Sequence, residues 1–251
     1  MTTAALQQLP LWDEGAEEAG WRVRRSRRAR RLGVRVFRDG TVEIVVPERV
    51  GARQVEHFVA HHRDWIERHR RRAPRIDLSF PPAAIELPAL EERWQCRLVA
   101  GTGPALSVRR DGSAGGILEL RSDRGAPALR AALLKWLAAG AAAALEVQLS
   151  ALAAEFRCAY RRLQIRRQRT RWGSCSSRGT ISLNCCLLFQ RPAVVRYLLA
   201  HELAHLTHMN HSRRFWALVG EYEPQWRELD RELTQGWSQV PGWVLAALRG
   251  A

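Results

Sequence analysis

Residues 201–211, which read HELAHLTHMNH, contain four histidines and one glutamate. His201 and His205 are four positions apart, so on an α-helix their side chains lie on one face, one turn from each other. Two imidazoles placed in this way can bind one zinc ion, and Glu202 then lies beside a water molecule on that ion. This H-E-x-x-H pattern is typical of hydrolases in which a metal activates the water and the glutamate is the general base.

A catalytic zinc site needs a third protein ligand, and two more histidines follow closely. On a continuous helix His208 would lie about 10 Å beyond His201, too far to share the ion. His211 can return to the ion if the helix ends at Asn210 and Ser212 caps the next helix. We therefore expect His211 to be the third ligand, with His208 or a distant carboxylate as alternatives.

The motif must be held by the elements around it. Pro192 is predicted to open an apolar-faced helix that carries the motif, and short helices are predicted over 213–220 and 225–235. Two strand-like runs, RTRWGS and TISLNC, come before this helix. The TISLN segment could lie at a sheet edge, where an extended peptide adds as a further strand, or it could be ordinary sheet.

The front half of the chain is predicted to be β-rich with one helix. Asp39-Gly40 lies between two apolar runs and predicts a hairpin. The segment GARQVEHFVAHHRDWIERHRRR predicts an amphipathic helix. Its His57 and His61 are also four apart, but no glutamate follows His57, so we interpret both as surface residues.

Residues 73–125 are rich in proline and glycine and predict more small sheet, with strand-like runs at 93–99, 105–109 and 117–121. An Ala/Leu-rich helix is predicted from Pro127 to about Phe156, with Gly140 as the place where a break would fall.

The chain of 251 residues is strongly basic, with a formal net charge of +15. Nearly all of its basic residues are arginine, and a run of them at 22–31 fits either a nucleic-acid-binding tract or one exposed strand face. The charge therefore allows a nucleic-acid partner through the Arg-rich N-terminal half, with a solvated basic surface as the alternative.

Composition also argues against a membrane protein and against a disulfide framework. The longest apolar run, at 136–145, has ten residues, whereas a spanning helix needs about 20. The first 20 residues are acidic and lack the layout of a signal peptide, so we expect a soluble cytoplasmic protein. The five cysteines include an adjacent pair and no C-x-x-C, which predicts reduced thiols.

Four segments of the chain carry a family resemblance. RWGSCSSRGTISLN followed by HELAHLTHMNHSRRFWALV resembles the YgjP-like metallopeptidase domain family, which is related to SprT-like zinc peptidases. RRSRRARRLGVRVFRDGTVEIVVP and FVAHHRDWI resemble the β-rich front half of that family. The resemblance, over roughly 20–235, implies a zincin-like catalytic half. It implies one zinc ion held by the matching residues His201, His205 and His211, with Glu202 as general base.

We therefore predict an α+β fold in which a β-rich N-terminal half with one helix precedes a mainly helical zincin-like catalytic half with a small antiparallel sheet. The predicted segments are a flexible tail, a β-rich subdomain, a catalytic subdomain and a C-terminal tail, at 1–18, 19–125, 126–238 and 239–251.

The expected function is a zinc-dependent metallopeptidase that acts on a peptide or unfolded protein through metal-activated water and Glu202. One alternative is a metal-dependent hydrolase of an anionic substrate such as a nucleotide, since the arginines of RRLQIRRQRTRW precede the site and arginine binds phosphate well. Another is a nucleic-acid-binding protein with a secondary metal site. A donor to the developing oxyanion is expected among four residues, Tyr197, His208, Arg169 and Arg171.

Overall fold

The structure is a computed structural model, and the part of the chain that it describes comprises residues 21–37, 40–72, 79–112 and 114–248. The chain divides into two compact units, residues 1–76 and 77–251. Strands dominate the front of the chain and helices its C-terminal half, so the predicted α+β class is confirmed. The predicted flexible tail, residues 1–18, lies outside the described residues.

The described residues of the first unit form three strands and one helix, namely β1 (Trp21–Ser26), β2 (Gly33–Val36), β3 (Val42–Pro47) and α1 (Ala52–Arg72). The central strand β3 pairs antiparallel with β2 and parallel with β1. Gly40 has a φ of 76° in the turn between β2 and β3, a left-handed conformation that glycine adopts without strain. The predicted hairpin is therefore present, although Asp39 lies outside the described residues.

Alternate side chains of β3 point to the same face of the sheet, and those on one face form the core of this unit. The side chains of Val42, Ile44 and Val46 pack with apolar residues of α1, including Val55 and Ile66. These residues recur along α1 with the helical period that the sequence predicted. The unit thus has a small apolar core formed by one face of the sheet and one face of the helix.

The second unit begins with a four-stranded sheet followed by a long helix. Its elements are β4 (Ala84–Leu87), β5 (Glu92–Val99), β6 (Leu106–Arg109), β7 (Gly115–Arg121) and α2 (Gly125–Glu155). The strand order is β4-β5-β7-β6. Strands β5, β6 and β7 correspond to the runs predicted at 93–99, 105–109 and 117–121. The short strand β4 was missed because four residues give little periodicity.

Helix α2 runs without a break through Gly140. Alanines surround this glycine, and their high helix propensity offsets the cost of one glycine. Buried residues recur at every fourth position, at Leu133, Leu137, Ala141 and Leu145. The helix therefore buries one continuous stripe, and it packs on the strand Arg162–Arg166 and on the helices Pro192–Ala204 and Gly242–Ala247 of the same unit.

By length and composition alone, α2 is also apolar enough to cross a membrane, a feature that counting only the run 136–145 did not detect. Its apolar window is 33% buried within the structure. Several of its exposed positions are alanines, such as Ala139, Ala142 and Ala143, which raise the hydropathy although they are small. Core helices of globular domains give the same signal, so the finding is weak evidence for a membrane segment.

The rest of the second unit surrounds the histidine motif. Its elements are β8 (Arg162–Arg166), β9 (Gly173–Cys175), β10 (Thr180–Asn184), α3 (Pro192–Ala204), α4 (Arg213–Tyr222), α5 (Trp226–Gln235) and α6 (Gly242–Ala247). Strand β10 lies between β8 and β9, pairing parallel with β8 and antiparallel with β9. The sheet is therefore mixed, and the prediction of an antiparallel sheet was wrong because β8 was not recognised as a strand. Of the two alternatives for TISLN, ordinary sheet is the one found, since β10 is the central strand.

Two predicted boundaries also differ from the structure. The predicted C-terminal tail, residues 239–251, contains α6, in which Trp243, Val244 and Leu245 are buried. This helix packs against α2, so its apolar side chains complete the core. The chain divides into its two compact units after residue 76 instead of after residue 125, because the sheet of 84–121 packs with α2 in the unit that contains the histidine motif.

Candidate metal centre

The histidine motif lies at the end of α3. The helix begins at Pro192, whose missing N–H is not needed in the first turn, and His205 is its C-cap. The N–H groups of Leu206 and Thr207 donate to carbonyls three residues earlier, at 3.0 and 3.1 Å, which tightens the last turn and ends the helix. The predicted end at a left-handed Asn210 was wrong, since the helix stops earlier by this tightening.

The chain turns between α3 and α4, and this turn brings three histidines together. The ligand nitrogens of His201, His205 and His211 all lie within 4.8 Å of one another. The Nε2 atoms of His201 and His211 are 3.2 Å apart. Within the described ranges, no other three side chains of histidine, cysteine, aspartate or glutamate form such a group. Ser212 caps α4 as predicted, since its hydroxyl accepts from the N–H of Phe215 at 3.4 Å.

His208, the alternative local ligand, contributes through its main chain. Its carbonyl oxygen lies 3.0 Å from Nδ1 of His205. A carbonyl only accepts, so Nδ1 of His205 carries the proton and Nε2 is left free to bind a metal. Nδ1 of His201 similarly faces an oxygen, the hydroxyl of Tyr197, at 3.5 Å. The two histidines of the motif are thus held with Nε2 available.

Aromatic side chains form one wall of the site. The ring of Phe215 packs against all three histidine rings, with centroid distances of 4.9, 4.4 and 4.8 Å. Trp216 stacks on His211, and Trp226 stacks on Trp216 at 4.3 Å. Sequence reasoning did not find the contact between Trp216 and His211. The position of the Phe-Trp pair at the start of the helix after His211 was the available signal.

Burial favours the neutral form of His201 and His205 by lowering the pKa of both side chains. It lowers the pKa of His201 to about 3, and repulsion from His205 and His211 acts in the same direction. Burial is also the largest cause that lowers the pKa of His205. Neutral imidazole is the form that binds a metal ion, and three imidazoles are a donor set that suits zinc.

Glu202 is buried beside this group, with 3% of its surface exposed. Its Oε2 has no hydrogen-bond partner among the described residues, which is rare for a buried carboxylate oxygen. Burial raises its pKa to about 8. A carboxylate oxygen without a partner among the described residues, beside three clustered imidazoles, suits a divalent cation and a water molecule, so the residues present fit a bound metal.

Gly173 of β9 is the residue that makes room for Glu202. A Cβ atom at this position would overlap Oε1 of Glu202 and lie 2.9 Å from its Cδ. The neighbouring Cys175 is not a nucleophile here, since burial and then the charge of Glu202 raise its thiol pKa to about 11. The segment GSC therefore acts as a strand beside the carboxylate.

Tyr197 does not fit the role of oxyanion donor that the sequence allowed. Its side chain is fully buried, and its hydroxyl donates to Asp230 Oδ1 at 2.7 Å. Sequence reasoning missed Asp230, because nothing in the pattern of α5 connects it to the motif.

Comparison with known proteins places this site in a family. Residues 30–236 match the family described as "YgjP-like, metallopeptidase domain". The chain belongs to the YgjP-like metallopeptidase domain family. The match includes the three histidines and Glu202, and it confirms the resemblance seen in the sequence. This YgjP-like domain therefore belongs to a family of metal-dependent peptidases.

Among solved structures, the YgjP-like chain is similar to one described as the metallopeptidase zymogen of Pyrococcus abyssi abylysin. The identity is 28%, the TM-score is 0.33, and the alignment covers 36% of this chain and 93% of that chain. No curated protein matches the chain.

The free energy of unfolding of the metal-free YgjP-like protein is expected to depend on pH because Glu202 is buried. The folded carboxyl, with a pKa of about 8 against an ordinary 4.5, keeps its proton where the unfolded one loses it. Its contribution to stability is therefore lost as the pH rises from 4.5 to 8. Glu202→Gln imitates the neutral form, so it should be more stable than the parent at pH 8, by on the order of a few kcal/mol.

Urea unfolding at pH 5 and pH 8, in the presence of a chelator, measures this difference. The exposed Glu221→Gln is the matched control and should show no such trend. A gap between Glu202→Gln and the parent that stays constant or shrinks as the pH rises would contradict the prediction.

Proposed function

We propose that this protein is a zinc-dependent metallopeptidase that hydrolyses peptide bonds with Glu202 as general base. The observation that carries the proposal is the group of three imidazoles, with ligand nitrogens within 4.8 Å of one another, beside a buried carboxylate oxygen that has no partner among the described residues. Membership of a metallopeptidase family supports the same reaction class.

His201, His205 and His211 would hold the zinc ion. A bound zinc ion supplies Lewis acidity, which lowers the pKa of water and polarises a carbonyl group. Glu202 accepts the proton of the attacking water and delivers it to the amide nitrogen as the C–N bond breaks. Glu202 must be ionised to accept this proton, and the positive charge of a bound zinc ion would favour that form.

The free edge of β9 offers a place for an extended substrate. The N–H of Ser176 donates to β10 at 2.9 Å, and the carbonyl of Trp172 accepts from β10 at 2.8 Å. Hydrogen-bonded and non-bonded pairs alternate in an antiparallel ladder, so the main-chain groups of Gly173 and Cys175 point away from β10. These groups lie beside Glu202, which supports pairing of a peptide strand with β9 instead of with TISLN.

The decisive experiment compares the zinc-loaded protein with Glu202→Gln, with zinc content measured in both. Each is incubated with an unfolded protein, and the new peptide termini are identified by mass spectrometry. Termini that form only with the parent protein and disappear with a chelator would support the proposal. Bound zinc without any new termini would contradict a general peptidase and favour another substrate class.

Gly173→Ala is expected to lower peptidase activity without removing the metal. The added methyl group occupies the position of Glu202 Oε1, so the carboxylate must move. A displacement of about 1 Å from the reacting groups costs about 100-fold in rate. The measurement is kcat/KM together with zinc content.

Gly140→Ala is the matched control for this substitution. Its added Cβ meets only Leu188 Cδ1, at 3.9 Å, and alanine favours the helix. Its activity should equal that of the parent. Full activity of Gly173→Ala would show that Glu202 does not need its present position.

A further inference from the structure

Behind the candidate metal site, a tyrosine and an aspartate connect two helices. Tyr197 of α3 lies one turn before His201, and its hydroxyl donates to Asp230 Oδ1 of α5 at 2.7 Å. The same hydroxyl lies 3.5 Å from Nδ1 of His201. Tyr197 is fully buried and Asp230 is half-buried, so water competes little for these contacts. Asp230, Tyr197 and His201 are thus connected by two polar contacts, and His201 is a predicted metal ligand.

The chemistry of the three groups determines which atom donates and which accepts at each contact. A carboxylate only accepts, so the single phenolic proton of Tyr197 points to Asp230. The hydroxyl oxygen then faces His201 with a lone pair and favours a proton on Nδ1. Neutral imidazole carries one proton, so Nε2 is left bare. That nitrogen is the one that lies 3.2 Å from Nε2 of His211.

We infer that Tyr197 and Asp230 are positioning residues that fix the tautomer and ring orientation of His201 for metal binding. The inference rests on the proposed function for the identity of the metal, and it assigns no contact with substrate to either residue. His205 achieves the same result with a main-chain carbonyl, that of His208. His201 is thus the motif histidine whose orientation depends on replaceable side chains.

The test is the affinity for zinc, measured by competition with a chromophoric chelator. Tyr197→Phe removes only the hydroxyl, and loss of an outer partner of a ligating histidine typically weakens metal binding by about 10–100-fold. Tyr160→Phe is the matched control, because it removes another tyrosine hydroxyl that donates to a carboxylate, Glu146, at 2.6 Å in the same unit. The control should bind zinc like the parent.

A second variant separates positioning from simple packing. Asp230→Asn keeps the shape of the side chain but removes the negative charge that directs the tyrosine proton, so it should also weaken zinc binding. Since Asp230 acts through Tyr197, the double variant should bind zinc no more weakly than Tyr197→Phe alone. The visible spectrum of the cobalt-substituted protein should change in Tyr197→Phe and Asp230→Asn but not in Tyr160→Phe.

Parental zinc affinity in Tyr197→Phe, or fully additive losses in the double variant, would overturn the inference. If Tyr197→Phe does not fold, Asp230→Asn alone decides, because it retains the buried ring and hydroxyl, and unchanged zinc affinity there would also overturn it. Zinc affinity and the spectrum of the cobalt-substituted protein are both measured without peptide cleavage. A protein that binds zinc as expected but cleaves no peptide would therefore count against the proposed function and not against this pair.

Discussion

His211→Ala is expected to release zinc from the protein, whereas His208→Ala is expected to retain it. The Nε2 atom of His211 lies 3.2 Å from that of His201, within the group of three imidazoles. His208 takes part through its carbonyl, which an alanine at that position also provides. Removal of a direct ligand should cost more than the 10–100-fold typical of an outer partner, so we expect a loss of at least about 100-fold in affinity.

Metal content after dialysis and zinc affinity by chelator competition would measure this difference. The pair of variants is well matched, since both remove one histidine side chain from the same short segment. Zinc retained by His211→Ala but lost from His208→Ala would assign the third ligand to His208. Zinc retained by both would point to a carboxylate elsewhere in the chain.

The second large effect is expected from Glu202→Gln, which should lower kcat/KM by about 10²–10⁴-fold, the usual contribution of a general base. Glutamine has nearly the same shape but cannot accept the proton of water. Zinc affinity should stay close to that of the parent, because Glu202 is not one of the three clustered ligands.

Steady-state cleavage of a peptide identified by the mass-spectrometric assay would measure this loss. Glu221→Gln, in exposed helix surface, should retain full activity. If Glu202→Gln kept both its zinc and its activity, the proposed role of Glu202 would be wrong. If it lost zinc together with activity, Glu202 would have to be assigned to the metal instead.

The parts of the fold that could be predicted from the sequence are those specified by local patterns. Helix α1 follows from its apolar period, α3 from Pro192, and α4 from Ser212 at its N-cap. The spacing of His201 and His205 determines their common face because an α-helix has a fixed pitch. The family resemblance was carried by segments that contain these same local features.

The parts that could not be predicted depend on contacts between residues far apart in the chain. The parallel pairing of β8 with β10 and the packing of α6 on α2 have no local signature. Tyr197 and Asp230 are separated by 33 positions, and only the packing of α3 on α5 brings them together. Helix α3 ends at Ala204 instead of Asn210 because the next main-chain N–H groups donate to carbonyls three residues earlier, and no residue type in the sequence indicates this change.

The short free edge of β9 has a consequence for how tightly a substrate can be held. Gly173 and Cys175 each carry one N–H and one C=O, so a paired peptide gains roughly four main-chain hydrogen bonds there. At about 1 kcal/mol net for each bond, the edge would contribute about 4 kcal/mol, which sets a dissociation constant no tighter than about 1 mM once the entropy cost of association is counted. Short peptides would thus saturate the enzyme only at high concentration. A long unfolded chain, which offers many overlapping segments to the same edge, would be captured at far lower molarity.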